Sequence, residues 1–121
     1  MAMNWYLSKI VYRIICGDGE HTPQFDEQLR LIHAVDEEEA FHKATVIGEK
    51  EQDGFYNHEQ KLVQWKFINV AELYKLSGLL DGAEVYSRIQ ETDDPDSYIE
   101  FTNRKAAHIQ GNSTHKLLEL L

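Results

Sequence analysis

"VDEEEAFHKATVIGE", residues 35 to 49, sets four carboxylates directly ahead of a stretch whose apolar residues fall at helical spacing. Two readings compete for Asp36, Glu37, Glu38 and Glu39: a metal or acid/base cluster, or the start of a helix. The helix start gives each of them a role. Asp36 is a favoured N-cap type, and Glu39 stands three residues later. At that spacing each carboxylate accepts a backbone N–H that the first turn leaves unpaired, a capping box with Asp in place of Ser or Thr. Glu37 and Glu38 fall in the same turn, where the helix dipole stabilises negative charge by roughly 0.3–1 kcal/mol each. Downstream, Ala40, Ala44 and Ile47, with Phe41 beside them, form a narrow apolar stripe. The helix is expected to run to about Gln52, with Asp53-Gly54 ending it and Gly48 a mild weakness inside.

On the N-terminal side, residues 5 to 16 alternate Trp5, Leu7, Lys9, Val11, Arg13 and Ile15 against Tyr6, Ser8, Ile10, Tyr12, Ile14 and Cys16. Both sets are mostly apolar, which predicts a central strand. "CGDGEHTP" supplies turn residues, and residues 25 to 34 alternate as Phe25, Glu27, Leu29 and Leu31, a second strand pairing back as a hairpin. On the C-terminal side "FYNHEQ" reads as a loop, and residues 61 to 76 as a long central strand. Val63, Trp65, Phe67, Ala71 and Leu73 take one face of it, and Leu62, Ile68, Val70 and Tyr74 the other. After "SGLLDG", residues 83 to 91 alternate again and predict a second hairpin. In "TDDPDS", Asp94 has the character of a cap and Pro95 of a first helical residue. The stretch "YIEFTNRKAAHIQ" continues that helix or, at Tyr98 to Phe101, makes one more short strand.

The order strand-strand-helix-strand-strand, with a C-terminal helix or strand after it, defines an α+β class. A mainly antiparallel sheet of about four strands carries one long helix on one face. The expectation is a single domain over residues 1–121, with its core in residues 4–91 and a less defined segment from 92 to 121. Four strands span about 19 Å, whereas a helix covers about 10 Å, so one helix cannot hide both faces. An open face would expose on the order of 600 Å². Either the C-terminal segment, whose tail carries Leu117, Leu118, Leu120 and Leu121, folds over it or a second copy does. A homodimer through sheet face or sheet edge is expected, twofold pairing being the commonest solution.

Composition narrows the partners. Twelve Lys and Arg against 21 Asp and Glu give a net charge of −9, which repels phosphate backbones and anionic lipid and argues against nucleic acid or membrane surfaces. No stretch reaches the roughly 18 apolar residues of a membrane span, and Lys9 and Arg13 interrupt the apolar start where a signal segment would need none. A single cysteine, Cys16, permits no internal disulfide, so a cytoplasmic setting is expected.

The chemical motifs are incomplete. One cysteine cannot supply a structural zinc site. "HEQKL" at 58 to 62 has Leu62 where a metalloprotease helix needs its second histidine, and "GDGE" at 17 to 20 lacks the later positions of a phosphate loop. "DDPD" at 93 to 96 lacks the spacing of a calcium loop. Cys16 as a nucleophile would need a base such as His33 on the neighbouring strand, and reads as buried filler. A metal held by His33, His42 and Asp36 would need the strand end and the helix to meet; the six histidines read as surface residues. No catalytic residue, metal site or cofactor is therefore expected. One polar constellation remains: Glu84, Tyr86 and Arg88 on one face of the last strand, with Trp65 as the wall of a cleft. Glu84 and Arg88 would stand about 13 Å apart along it, so each would look to a neighbouring strand or a ligand.

Taken together, "NWYLSKIVYRI", "EQLRLIHAVDEEEAFHKATVIG", "VQWKFINVAELY" and "DGAEVYSRI" resemble a family of small, mostly bacterial proteins known as domain of unknown function 4288. The Trp5-Tyr6 start combined with "DGAEVYS" is the distinctive part. The resemblance covers about residues 4 to 90 and implies a small stand-alone domain, without catalytic residues, cofactor or substrate. The expectation is a non-catalytic module that acts through a protein partner or its own dimer, one version being an immunity- or antitoxin-like protein that neutralises a basic nuclease. The alternative is a small-molecule binder or weak enzyme built on Trp65, Glu84, Tyr86 and Arg88.

Overall fold

The computed structural model describes residues 2–119, with side chains described to Asn112. The chain divides into two compact units, residues 1–87 and residues 88–121. The first contains β1 (Asn4–Cys16), β2 (Gln24–Ala34), α1 (Glu37–Lys50), β3 (Asp53–Tyr56) and β4 (Leu62–Lys75). They form one antiparallel sheet in the order β2-β1-β4-β3. Its class and its opening order of strand, strand and helix are those expected from the sequence, and the strand with two apolar faces, β1, is central.

Helix α1 starts after Asp36 as expected, with the Asp36 half of the expected capping box in place and an ion pair to Lys43 where the Glu39 half was expected. Asp36 is extended at φ −153°, and its Oδ1 accepts the Glu39 amide at 2.8 Å. The Glu39 carboxylate turns down the helix to Lys43 Nζ at 3.3 Å, and the same Nζ donates to the His33 carbonyl at 2.6 Å. Ala40 and Ala44 are fully buried against Tyr6, Ile10, Tyr12, Ile32 and Ala34, because only small residues let the helix axis approach the sheet this closely.

Gly48 is a requirement of the packing and not the weakness that helix propensity suggested. A Cβ there would lie 2.3 Å from the Phe67 ring, and the Gly48 carbonyl accepts the Tyr12 hydroxyl at 3.0 Å.

Two boundaries and one face assignment differ from the sequence reading. The helix stops at Lys50 with Glu51 as C-cap, two residues before the expected end. Asp53-Gly54 then opens β3 where a loop was expected. That strand exists because Asn57 fixes the turn behind it, its Oδ1 accepting the Glu59 and Lys61 amides at 2.9 and 3.0 Å. The face assignment of β4 is corrected too: the register skips Ile68 and Ala71, so Phe67, Val70 and Leu73 all pack toward the core, while Ile68 is exposed.

The largest correction concerns residues 83–91, which form no strand. The two skipped residues of β4 break the regular repeat that a hairpin partner would have to match. Instead the Tyr86 ring meets Tyr74 edge-on at 5.9 Å and lies under Lys9 Nζ at 5.9 Å, so residues around Tyr86 cover part of the sheet's second face.

The second unit is built on α2 (Pro95–Glu119), and this settles the choice between helix and strand at residues 98–101. Asp94 caps it, accepting the Ser97 amide at 3.1 Å and the Ser97 hydroxyl at 2.7 Å, bonds that hold the Asp94 carboxyl below its usual pKa. The tail leucines expected to need a packing surface, Leu117, Leu118, Leu120 and Leu121, lie outside the described side chains.

Candidate functional site

β2 carries the decisive asymmetry. Its alternate residues Asp26, Gln28 and Arg30 pair with Tyr12, Ile10 and Ser8 of β1 and share the face on which α1 lies, whereas Phe25, Leu29 and Leu31 point the other way. Since α1 ends at Lys50, the polar half of β2 is left beside the helix C-terminus, where it forms one wall of a concave site.

The site has a volume of about 290 Å³ and is lined by Tyr12, Gln28, Arg30, Glu51, Asp53, Phe55 and Trp65. Arg30 is its organising residue. Its two terminal nitrogens donate to the Glu51 carboxylate at 3.0 Å each, and Nε and Nη2 donate to Gln28 Oε1 at 3.2 and 2.7 Å. The Glu51 hydrogen bonds raise the Arg30 pKa further. Gln28 Nε2 passes the network to Asp26 Oδ2 at 2.7 Å, which also accepts the Trp65 indole N–H at 3.2 Å. Phe55 stacks on Trp65 with centroids 6.0 Å apart and planes at 25°. Tyr12 forms the floor; burial, followed by the Glu51 charge, pushes its phenol pKa up.

A second cluster lies on the opposite sheet face. Lys9 Nζ pairs with Glu72 at 2.8 Å and Glu27 at 3.5 Å, and the Tyr74 hydroxyl donates to Glu72 Oε1 at 2.9 Å. The hydrogen bond to Glu72 is the main cause that raises both the Lys9 and the Tyr74 pKa. A cleft of about 340 Å³ beside it is lined by Tyr74, Leu76, Glu84 and Tyr86 among others.

The residues expected from sequence to form one site are thus distributed. Glu84 and Tyr86 do line one cleft, although on an irregular segment and not on a strand face. Trp65 belongs to the first site, nine positions from Tyr74 along β4 or on the order of 30 Å. Arg88 is in the second unit and donates to Gln90 at 2.7 Å. Cys16 pairs with Val63, while His33 stacks on Trp5 at 4.3 Å at the far end of β1, on the order of 35 Å away. That separation rules out His33 as a base for Cys16. No group of three or more His, Cys, Asp or Glu among the described residues is arranged to hold a metal.

Sequence reasoning missed Tyr12, Gln28, Arg30, Glu51, Asp53 and Phe55. The available signal was the polar alternate set of β2, which reads as a solvated face until α1 is placed over it.

Fold and site together define a small α+β protein with a polar, aromatic-walled cleft at the end of its one sheet-packed helix. The chain belongs to the family described as Domain of unknown function (DUF4288), which matches it over residues 5–87. The match ends where the first compact unit ends. No curated protein and no solved structure matches the chain. Among the described residues no helix is long and apolar enough to cross a membrane.

Proposed function

We propose that this chain is a non-catalytic interaction module that self-associates through the sheet face opposite α1. One observation carries the reading: Phe25, Leu29 and Leu31 of β2 point away from α1, while Ile32 and Ala34 near its end pack into the core. Phe25, Leu29 and Leu31 are 55%, 51% and 51% exposed, and Val11 and Ile15 of β1 on the same face are half-buried. Three large apolar side chains on the outer face of a strand whose Asp26, Gln28 and Arg30 lie on the helix side are more consistent with a contact surface than with solvent.

β1, β2 and β4, 11 to 14 residues or roughly 40 Å long, present on the order of 580 Å² per copy, or about 1,150 Å² for a pair, and the cover around Tyr86 leaves the pair below the ~1,200 Å² of stable interfaces. The association is therefore weak and concentration-dependent. Sedimentation over a wide concentration range tests it: a reversible monomer–dimer equilibrium is expected, abolished by Leu29→Lys with Leu31→Lys at unchanged helix content. A strict monomer at every concentration would overturn it, and a dimer indifferent to both substitutions would move the contact to the exposed edge of β2 or β3.

The acidic chain also fits a basic protein partner, and an immunity- or antitoxin-like role is one form of this reading, which a neighbouring gene for a basic nuclease would favour. A second reading, ligand binding beside Tyr74, Glu84 and Tyr86, is favoured by the cleft those residues line. Glu84→Gln with no effect on any ligand-induced melting shift would dispose of it.

A further inference from the structure

The cleft at the C-terminal end of α1 lies on the other side of the sheet and has no part in that self-association. Its charge is one-sided. The lining brings two carboxylates, Glu51 and Asp53, against one cation, Arg30, whose Nε, Nη1 and Nη2 already donate to Gln28 and Glu51, while Asp26 supports the lining by accepting from Gln28 and Trp65. Arg30 is thus committed within the network, and an anion would meet surplus negative charge.

The walls are aromatic. Trp65 is half-buried and held by its indole N–H on Asp26, Phe55 stacks on it while remaining 49% exposed, and Asp53 stands at the start of the same strand as Phe55. A fixed indole beside a second ring and a nearby carboxylate is an arrangement that attracts a cation over ring faces. At about 290 Å³ the cleft is at the lower limit of small-molecule sites, so it takes a group the size of a side-chain head.

We propose that this cleft binds a guanidinium group, its plane against the Phe55 and Trp65 rings and its N–H donors toward Asp53. Guanidinium suits the geometry better than ammonium because it is flat, weakly hydrated and able to stack while it forks to a carboxylate. The group is carried by a free small guanidino compound or by an arginine of a basic partner, and the two sources differ only in what lies beyond the guanidinium carbon.

The two tryptophans, Trp5 and Trp65, give two indole N–H resonances, Trp65→Phe assigns them, and Trp5 serves as internal control. Titration with methylguanidinium is expected to shift the Trp65 resonance saturably within tens of millimolar. Urea, the uncharged isostere, moves it far less. Asp53→Asn, at an exposed position, weakens the methylguanidinium curve several-fold while the Trp5 resonance stays in place, which shows the fold intact. A blocked Gly-Arg-Gly peptide saturating at about tenfold lower concentration assigns the source to a partner's arginine; equal curves assign it to the free compound. An equal response to urea, or an Asp53→Asn curve that superimposes on that of the unaltered protein, overturns the proposal. Variants that abolish self-association leave this titration unchanged, so the two readings fail independently.

Discussion

The two faces of the sheet are built from the same long strands and finished in opposite ways. Toward α1, Ile10 and Tyr12 are 0% and 1% exposed and the polar residues of β2 are locked in a network. Away from α1, three large apolar side chains of β2 are more than half exposed, and the stretch around Tyr86 covers part of that face at Lys9 and Tyr74. The difference teaches that apolar content does not choose the core. The width of one helix and the register of β1 with β2 choose it, and the surplus apolar side chains of β2 are left on the outer face.

The contrast is broken most severely at Ile10. Ile10→Ala should cost about 2–5 kcal/mol, the range for emptying a fully buried aliphatic site, and urea unfolding measures it. Leu29→Ala on the other face should change monomer stability by only about 0.5 kcal/mol, at the scale of surface substitutions. Comparable losses at the two sites would mean that the second face is already covered.

Gly48→Ala comes next. Relief of the helix penalty of glycine favours it by about 1 kcal/mol, but the added methyl must displace the Phe67 ring, at a cost of about 1–3 kcal/mol. A net loss near 1 kcal/mol is expected, against the gain that a helix interior otherwise shows, and a melting temperature that rises would show that Phe67 yields freely.

Asp36→Ala removes the cap and should cost about 1 kcal/mol, with Asp36→Ser recovering most of it. Recovery by Asn but not by Ser would point to a role beyond the cap.

The smallest effect is a pH dependence. The Tyr12 phenol has its folded pKa raised above the ordinary 10.0 by burial, so the folded state holds its proton longer than the unfolded chain. This contribution is complete below pH 10 and declines as the pH rises from there toward the folded pKa. Tyr12→Phe, which also loses the hydrogen bond to Gly48, should lower stability at neutral pH and flatten its alkaline decline in urea melts. An unchanged alkaline slope would mean that Tyr12 is not the residue responsible.

What could be read from the chain came from short-range physics. The cap at Asp36 and the cap of α2 at Asp94 each depend on residues within a few positions of one another, and the hairpin of β1 with β2 was legible from the alternation within each strand and the turn residues between them. The four-residue β3 was not, because Asp53-Gly54 is equally a helix stop, and only pairing of Asp53 with Trp65 and Tyr56 with Leu62 makes it a strand. Residues 83–91 erred in the other direction: they alternate as a strand should, but their regular repeat finds no matching one on β4. The cleft was hidden for a related reason, since its residues come from β1, β2, β3, β4 and the end of α1.

By itself the sequence determined the α+β class, the opening order of strand, strand and capped helix, and the acidic charge, because periodicity, capping and ionisation are properties of residues and their near neighbours. The tertiary structure alone decided that Gly48 is needed under Phe67, that Phe25, Leu29 and Leu31 of β2 face outward, and that Arg30, Glu51, Asp53 and Trp65 line one cleft. Register and helix placement join positions as far apart in the chain as Tyr12 and Trp65 in that cleft, and no local pattern encodes which of them will meet.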